Sequence, residues 1–370
     1  MSSNIKRFTP LNVSSKFAIC GLPIRVDSYK TCGFGCKYCF ANCRKIMEFS
    51  KEIQVANTNW LERKLYKIFD KQEVNPENFL EVLVSNGYTW HWGGMSDPFQ
   101  PIENTLRITK DLLDIANKYQ RHILFSTKSN TVYNCNISPL YHSFQLSITN
   151  VYDRKDFEPN VPSFESRYKF YKELKSNGFR VGIRIQPFIP GVSDTQIIEL
   201  FHDADNITIE GLKIVPQNKE HKETLLRLTG LSSTDFTQMG LLNIKPEIRL
   251  KLYEPLISKL IEYQIPFSIA DNDLHQLGTN RCCCGDNLIF KSTTFNNTCM
   301  IKQYGENYTK QDLMSELQKS QLDKCICNML FTSNRQEGCK TVSEFYDKRF
   351  DRKSSPFSPK FLYLQNKENK

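Results

Sequence analysis

The sequence predicts an α/β protein organised around a parallel sheet. Two observations carry this. Strand-like apolar runs alternate with helix-length amphipathic segments from residue 17 to residue 270, and residues able to do chemistry recur just after the strands. Strands separated by helices imply right-handed βαβ units, in a sheet either doubly wound or curled into a barrel. Both layouts gather their chemistry at the carboxyl ends of the strands.

Taken in order, Phe17 to Val26 reads as a strand that runs into a cysteine loop, and Leu61 to Phe69 as a helix. Tyr88 to Trp92 is a short strand, Leu106 to Tyr119 an amphipathic helix, and Ile123 to Ser126 and Phe144 to Ile148 are strands. Phe164 to Asn177 is a helix with Gly178 in the stop position, and Val181 to Ile189 a strand closed by Pro190 and Gly191. Asp194 to Phe201 and Ile248 to Tyr263 are helices, and Ile207 to Val215 and Phe267 to Ala270 strands. Cysteines follow the first strand, Gly93 and Gly94 the second, Lys128 the third, and Thr149 with Asn150 the fourth. The alternation stops after Asp273, and a cysteine-rich segment runs from Arg281 to Cys339. The expected division is an N-terminal segment (1–15), a catalytic α/β domain (16–275), a cysteine-rich C-terminal region (276–345) and a basic tail (346–370).

Composition narrows the function classes. No apolar run reaches the eighteen or so residues of a membrane span, and residues 1–11 lack the charged-then-apolar pattern of a signal peptide, so a cytoplasmic protein is expected. Thirteen cysteines, an odd number, in a reducing compartment point to metal or catalysis before disulfides. The net charge is +9, and residues 348–370 hold seven Lys or Arg against Asp351 and Glu368. Such a tail suits phosphates as well as it suits a plain solvated terminus.

The segment Thr31 to Asn42, TCGFGCKYCFAN, spaces Cys32, Cys36 and Cys39 by four and three residues. Three thiolates ligate three irons of a cubane cluster and leave the fourth iron open to a substrate molecule. Gly33 and Gly35 suit a loop wrapped closely on a cluster. A zinc site is the alternative, with Cys43 as its fourth ligand. Downstream, Cys282 or Cys284 with Cys325, Cys327 and either Cys299 or Cys339 make a candidate auxiliary site for a second iron–sulfur cluster, placed ahead of zinc. Asp271, Asp273 and His275 follow the last strand, where they suit proton transfer or, preferably, the capping of a turn.

The cysteine loop, its place after a first strand and the βα alternation resemble the radical S-adenosylmethionine (SAM) superfamily, which implies a partial (β/α)6 TIM-like barrel with the cysteine-rich segment as an extension. The segments GGMSDPFQPIE (Gly93 to Glu103), STKS (Ser126 to Ser129) and Leu146 to Gly191 look like the spore photoproduct lyase branch, the "DNA repair photolyase"-like proteins, over roughly residues 15 to 275. That resemblance implies a 4Fe-4S cluster on Cys32, Cys36 and Cys39, S-adenosyl-L-methionine as cofactor, and an electron donor of the flavodoxin or ferredoxin type. It implies that Tyr38 flanks the adenine and that Gly93 with Gly94 makes the turn beside the methionyl amino group. Ser96 and Asp97 fall near the methionine moiety, and Lys128 and Ser147 at its carboxylate. Arg184 and Gln186 face the ribose or carboxylate. In that branch a cysteine after the second strand returns a hydrogen atom to the product radical, and the equivalent position here is Gly94. The expected activity is reductive cleavage of SAM to a 5′-deoxyadenosyl radical acting on a nucleic acid or nucleotide. The alternatives are a peptide or small metabolite as substrate, and, from another class, a non-enzymatic metal-stapled nucleic-acid binder.

Overall fold

Eight strands form one sheet in the computed structural model, which describes residues 5–14, 20–43, 54–239, 241–271, 273–280, 282–305, 307–319 and 341. They are β1 (Leu11–Val13), β2 (Ile24–Val26), β3 (Trp90–Trp92), β4 (Ile123–Thr127), β5 (His142–Ser147), β6 (Val181–Phe188), β7 (Asn206–Gly211) and β8 (Phe267–Ile269). Their order across the sheet follows the chain without reversal. Only β1, which pairs with β2, is antiparallel; β2 to β8 are parallel throughout. A doubly wound sheet reverses direction at a switch point, whereas unbroken order with right-handed crossovers puts all helices outside and curls the sheet. The two layouts compatible with the sequence thus resolve to a partial barrel, with one parallel strand more than a (β/α)6 unit.

The outer layer is built from α1 (Thr58–Leu65), α2 (Phe79–Ser85), α3 (Ile108–Lys118), α4 (Phe164–Ser176), α5 (Gln196–Leu200), α6 (Lys219–Thr229) and α7 (Pro246–Glu262). Apolar strand residues such as Phe125, Phe144, Leu146, Ile183, Ile207 and Ile209 pack in the main core with helix residues such as Leu112, Tyr171 and Leu260. Side chains alternate along a strand, so the intervening residues face the barrel interior. There the polar residues meet a length of backbone. Ser143 Oγ donates to the Leu288 carbonyl (2.6 Å), Gln145 Nε2 to that of Cys284 (2.9 Å), Thr208 Oγ1 to that of Cys283 (3.1 Å) and Ser268 Oγ to that of Cys282 (3.0 Å). Residues 282–288 therefore fill the barrel from within, and the polar inward face of the strands satisfies their carbonyl groups.

Several elements differ from expectation. Among the described residues of Phe17 to Val26, Ile24–Val26 is strand, and residues 15–19 lie outside the described residues. The helix expected over Leu106 to Tyr119 is split at Arg107, whose φ of 54° separates a turn at Glu103–Leu106 from α3. The run Ile207 to Val215 divides into β7 and Lys213–Ile214, which joins a small antiparallel sheet with Phe236–Met239 and Leu241–Ile244. α2 and α6 were not expected. Each is opened by an asparagine cap, Asn78 accepting from Glu81 N and Asn218 from His221 N.

Candidate active site

The loops after β2, β3, β4 and β5 converge at one end of the barrel. Gln100 Oε1 accepts from Gly33 N (2.6 Å) while its Nε2 donates to the Thr31 carbonyl (2.9 Å), tying the cysteine loop to the loop after β3. Ser96 Oγ donates to the Tyr29 carbonyl (2.6 Å), and Asp27 Oδ1 accepts from Met95 N (3.1 Å). From the loop after β5, Asn160 Nδ2 donates to the Gly33 carbonyl (3.1 Å), and Lys37 N donates to the Phe157 carbonyl (2.8 Å). The cysteine loop is clamped on two sides by side chains 60 to 130 residues away in sequence, for example at a separation of 127 for Asn160 and Gly33.

These loops line one cleft at the mouth of the barrel. Its walls include Cys32, Cys36, Cys39, Tyr38, Gly93, Gly94, Ser96, Asp97, Lys128, Ser147, Arg184 and Gln186. All the residues singled out for the radical cluster and its cofactor thus share one cavity, together with His91, Glu210 and Lys213, which sequence reasoning missed. Asp271 and Asp273 do not reach it. Both pair with Arg249, and Asp271 also accepts from Tyr253 Oη (2.7 Å) and Gly211 N (3.0 Å), which anchors α7 to the end of β7. His275 Nδ1 bonds the Ile269 carbonyl (2.7 Å) at a turn.

Lys128 Nζ sits 2.8 Å from Glu158 Oε1 and 5.4 Å from the Tyr38 ring centroid. Glu158 also accepts from Tyr38 Oη and lies 3.6 Å from Arg167 Nη2. Burial works to raise the Glu158 carboxyl, but Lys128 and Arg167 outweigh it and hold the group down at about 2. Asp97 is spent on the fold: it accepts from Phe99 N, Thr127 Oγ1 and Lys128 N, and burial pushes its carboxyl up to about 6. His91 donates to or accepts from Ser126 Oγ (2.8 Å); burial and then the Arg184 charge depress it to about 3, so it is neutral. Burial pushes the Cys36 thiol up to about 12, against the pull of Lys128, and raises Cys32 as well.

Gly93 has a φ of 104°, and a β-carbon there would lie 2.1 Å from the Ser126 carbonyl oxygen, so only glycine fits. A β-carbon on Gly94 would meet Arg25 Cδ at 3.0 Å. The space beside Gly94 is occupied by the Arg25 side chain.

Among solved structures, the chain is similar to spore photoproduct lyase. A variant with bound AdoMet and dinucleoside spore photoproduct superposes with a TM-score of 0.52 at 15% identity, over 72% of this chain and 81% of that one. A second variant gives 0.51 at 16%, over 72% and 80%. The chain shares the fold of spore photoproduct lyase. A relative in Methanocaldococcus jannaschii, the uncharacterised protein MJ0683, is 27% identical over 204 residues, which is 52% of this chain and 70% of its own. No protein-family model matches the chain. Within this fold the three-cysteine loop occupies the mouth of the barrel, after β2, and its thiols open onto the cleft.

The second set of cysteines divides. Cys282 and Cys284 lie together, with Cys283 between them, inside the barrel. Cys299 is elsewhere, its Sγ 3.2 Å from Asn296 Nδ2 and 3.6 Å from the Thr293 carbonyl. Cys325, Cys327 and Cys339 lie outside the described residues. Among the described residues, no helix is long and apolar enough to cross a membrane.

Proposed function

We propose that this chain is a radical SAM enzyme, with Cys32, Cys36 and Cys39 as the cluster ligands. The observation that carries this reading is the meeting of the three thiols with Gly93, Lys128, Ser147, Arg184 and Gln186 in one cleft at the strand ends. Three thiols and no fourth described cysteine line that cleft, which suits a cluster with one open iron. When bound, a 4Fe-4S cluster supplies the electron that cleaves SAM into methionine and a 5′-deoxyadenosyl radical, which takes a hydrogen atom from the substrate.

The remaining work belongs to the side chains. Burial keeps the unloaded Cys36 thiol protonated, so metal binding releases protons into the cleft. Lys128 is aligned by Glu158 and stacks near Tyr38, a cation ready for the carboxylate of an amino acid moiety. Gly93 lets the backbone approach what a side chain would hold off. Arg184 and Gln186 on the inner face of β6 meet the sugar or carboxylate end, and His91, neutral, offers a hydrogen bond without charge.

A nucleic acid or nucleotide is the proposed substrate class, supported by the basic balance of +9 and by the likeness to spore photoproduct lyase. A base in a duplex has to flip out to enter such a cleft. Arg25 beside Gly94 argues that the product radical is not quenched by a thiol at that place.

The test is anaerobic reconstitution with iron and sulfide, reduction by dithionite in the presence of SAM, and chromatography for 5′-deoxyadenosine. The wild type forms it and Cys36→Ala does not; equal formation by both sinks the cluster assignment. Adding DNA, RNA or nucleosides speeds SAM consumption, and no response to any of them removes nucleic acid from the proposal.

A further inference from the structure

Two parts of the chain bring thiols together at the centre of the barrel. The Sγ atoms of Cys282, Cys283 and Cys284 all lie within 4.8 Å of one another, and Cys283 and Cys284 are 4.0 Å apart. Consecutive side chains converge like this because the backbone turns, Gly285 N donating to the Cys282 carbonyl at 3.0 Å. The three carbonyl groups are held by Ser268, Thr208 and Gln145, so the turn is fixed against the sheet. Cys20, just before β2, packs against this group, and its Sγ accepts from Leu22 N at 3.4 Å. Gly21 packs so tightly that a β-carbon there would lie 2.8 Å from Cys282 Sγ.

We propose that Cys20, Cys282, Cys283 and Cys284 are the four ligands of a single zinc ion. Tetrahedral thiolates at about 2.3 Å from zinc stand roughly 3.8 Å from each other, close to the spacing of the three consecutive thiols, with Cys20 beside them as the fourth. A cubane cluster spreads its ligand sulfurs over a wider frame. Four thiolates around a divalent cation carry a net charge of minus two, and Arg184 Nη1, 3.7 Å from Cys284 Sγ, answers part of it. The ion would staple the segment filling the barrel to the strand that leads into the cysteine loop. It sits beneath the cleft, and Arg184 belongs to both. This site does not depend on the radical chemistry proposed above.

The experiment uses the full chain with Cys32, Cys36 and Cys39 all replaced by alanine, so that the loop cannot hold iron. Metal analysis after growth with zinc is expected to give one zinc per chain, and zinc-edge X-ray absorption a shell of four sulfurs at about 2.3 Å. Absence of zinc, nitrogen or oxygen in the shell, or iron in its place, overturns the proposal. In the same background Cys20→Ala and Cys283→Ala each weaken zinc retention against a chelator by at least about tenfold, while Cys299→Ser and the double change Cys325→Ala with Cys327→Ala leave it unaltered. Retention by Cys283→Ala, or loss in the Cys325/Cys327 variant, assigns the ion to other ligands. If either alanine variant is insoluble, the absorption spectrum of the parent still decides.

Discussion

Two groups of cysteines lie on either side of Arg184, and they are built on opposite principles. The loop group at the barrel mouth is spread along eight residues, lines an open cleft, and is steadied from outside by Gln100 and Asn160. The inner group is three consecutive residues plus Cys20, packed with Leu22, Leu124 and Leu288 and held by strand side chains through backbone carbonyls. Wide spacing with an open side is what a reactive cluster needs, because something other than the protein has to reach it. Close spacing among packed apolar residues suits an ion whose task is to hold two segments together. The difference teaches that cysteine count alone does not assign a metal; the surroundings of the sulfurs do.

The largest expected effects separate the two groups by what fails. Cys36→Ala abolishes 5′-deoxyadenosine formation and leaves the thermal midpoint within a few degrees of wild type. Cys283→Ala lowers the stability by several kcal/mol, on the order of what a lost structural ion costs a small site. Calorimetry on both variants measures this. An unchanged midpoint for Cys283→Ala would break the comparison.

Glu158 sharpens the description of the mouth. Its folded-state value of about 2 lies below the ordinary 4.5, so its contribution is present above pH 4.5 and is lost as the pH falls toward 2. Glu158→Gln removes about 3 kcal/mol at neutral pH, leaving Lys128 and Arg167 without their anion, and the two proteins converge in stability near pH 2. A constant difference across that range would mean that packing, and not charge, is what the substitution disturbs.

A pair of glycines tests both regions by the same means. Gly93→Ala drives a β-carbon against a backbone oxygen and costs at least about 2 kcal/mol, with loss of SAM binding measured by calorimetric titration. Gly21→Ala presses on Cys282 Sγ and is expected to reduce zinc retention while iron loading of the loop persists. Gly94→Ala meets only the flexible Arg25 stem and stays within about 1 kcal/mol of wild type.

The mouth was legible in the sequence to an unusual degree, because its residues sit in short motifs directly after strands. Periodicity gives elements and not neighbours, so the barrel was expected from the resemblance alone, and the strand order followed once the pairings were known. Glu158, Gln100 and Asn160 act across long sequence separations, and no local pattern marks them. The convergence of the inner group was not legible for a physical reason. Adjacent side chains diverge on an extended backbone, which favoured skipping Cys283, but the turn closed by Gly285 makes them converge. A usable signal was the alternation of Ser143 and Gln145 with Phe144 and Leu146, and of Asn206 and Thr208 with Ile207 and Ile209. Polar residues at every second position of central strands announce that something with carbonyl groups fills the barrel.

The smallest effect distinguishes the barrel's two ends by their response to acid. His142 opens β5, buried at the end away from the cleft, and burial, then the nearby His122, depress it to about 4. Its folded value lies below the ordinary 6.5, so its contribution is complete at neutral pH and declines as the pH drops through 6.5 toward 4. Glu158 at the mouth does not begin to respond until pH 4.5. Between pH 7 and pH 5 the loss attributable to His142 is about 2 kcal/mol. His142→Gln, whose amide oxygen can replace Nδ1 as acceptor for Ser138 N, should flatten stability over that range and leave the steeper fall below pH 4.5 in place. Denaturant unfolding at pH 7, 5 and 4 measures both steps, and a variant that still weakens by the full amount by pH 5 would place the acid-sensitive group elsewhere in the barrel.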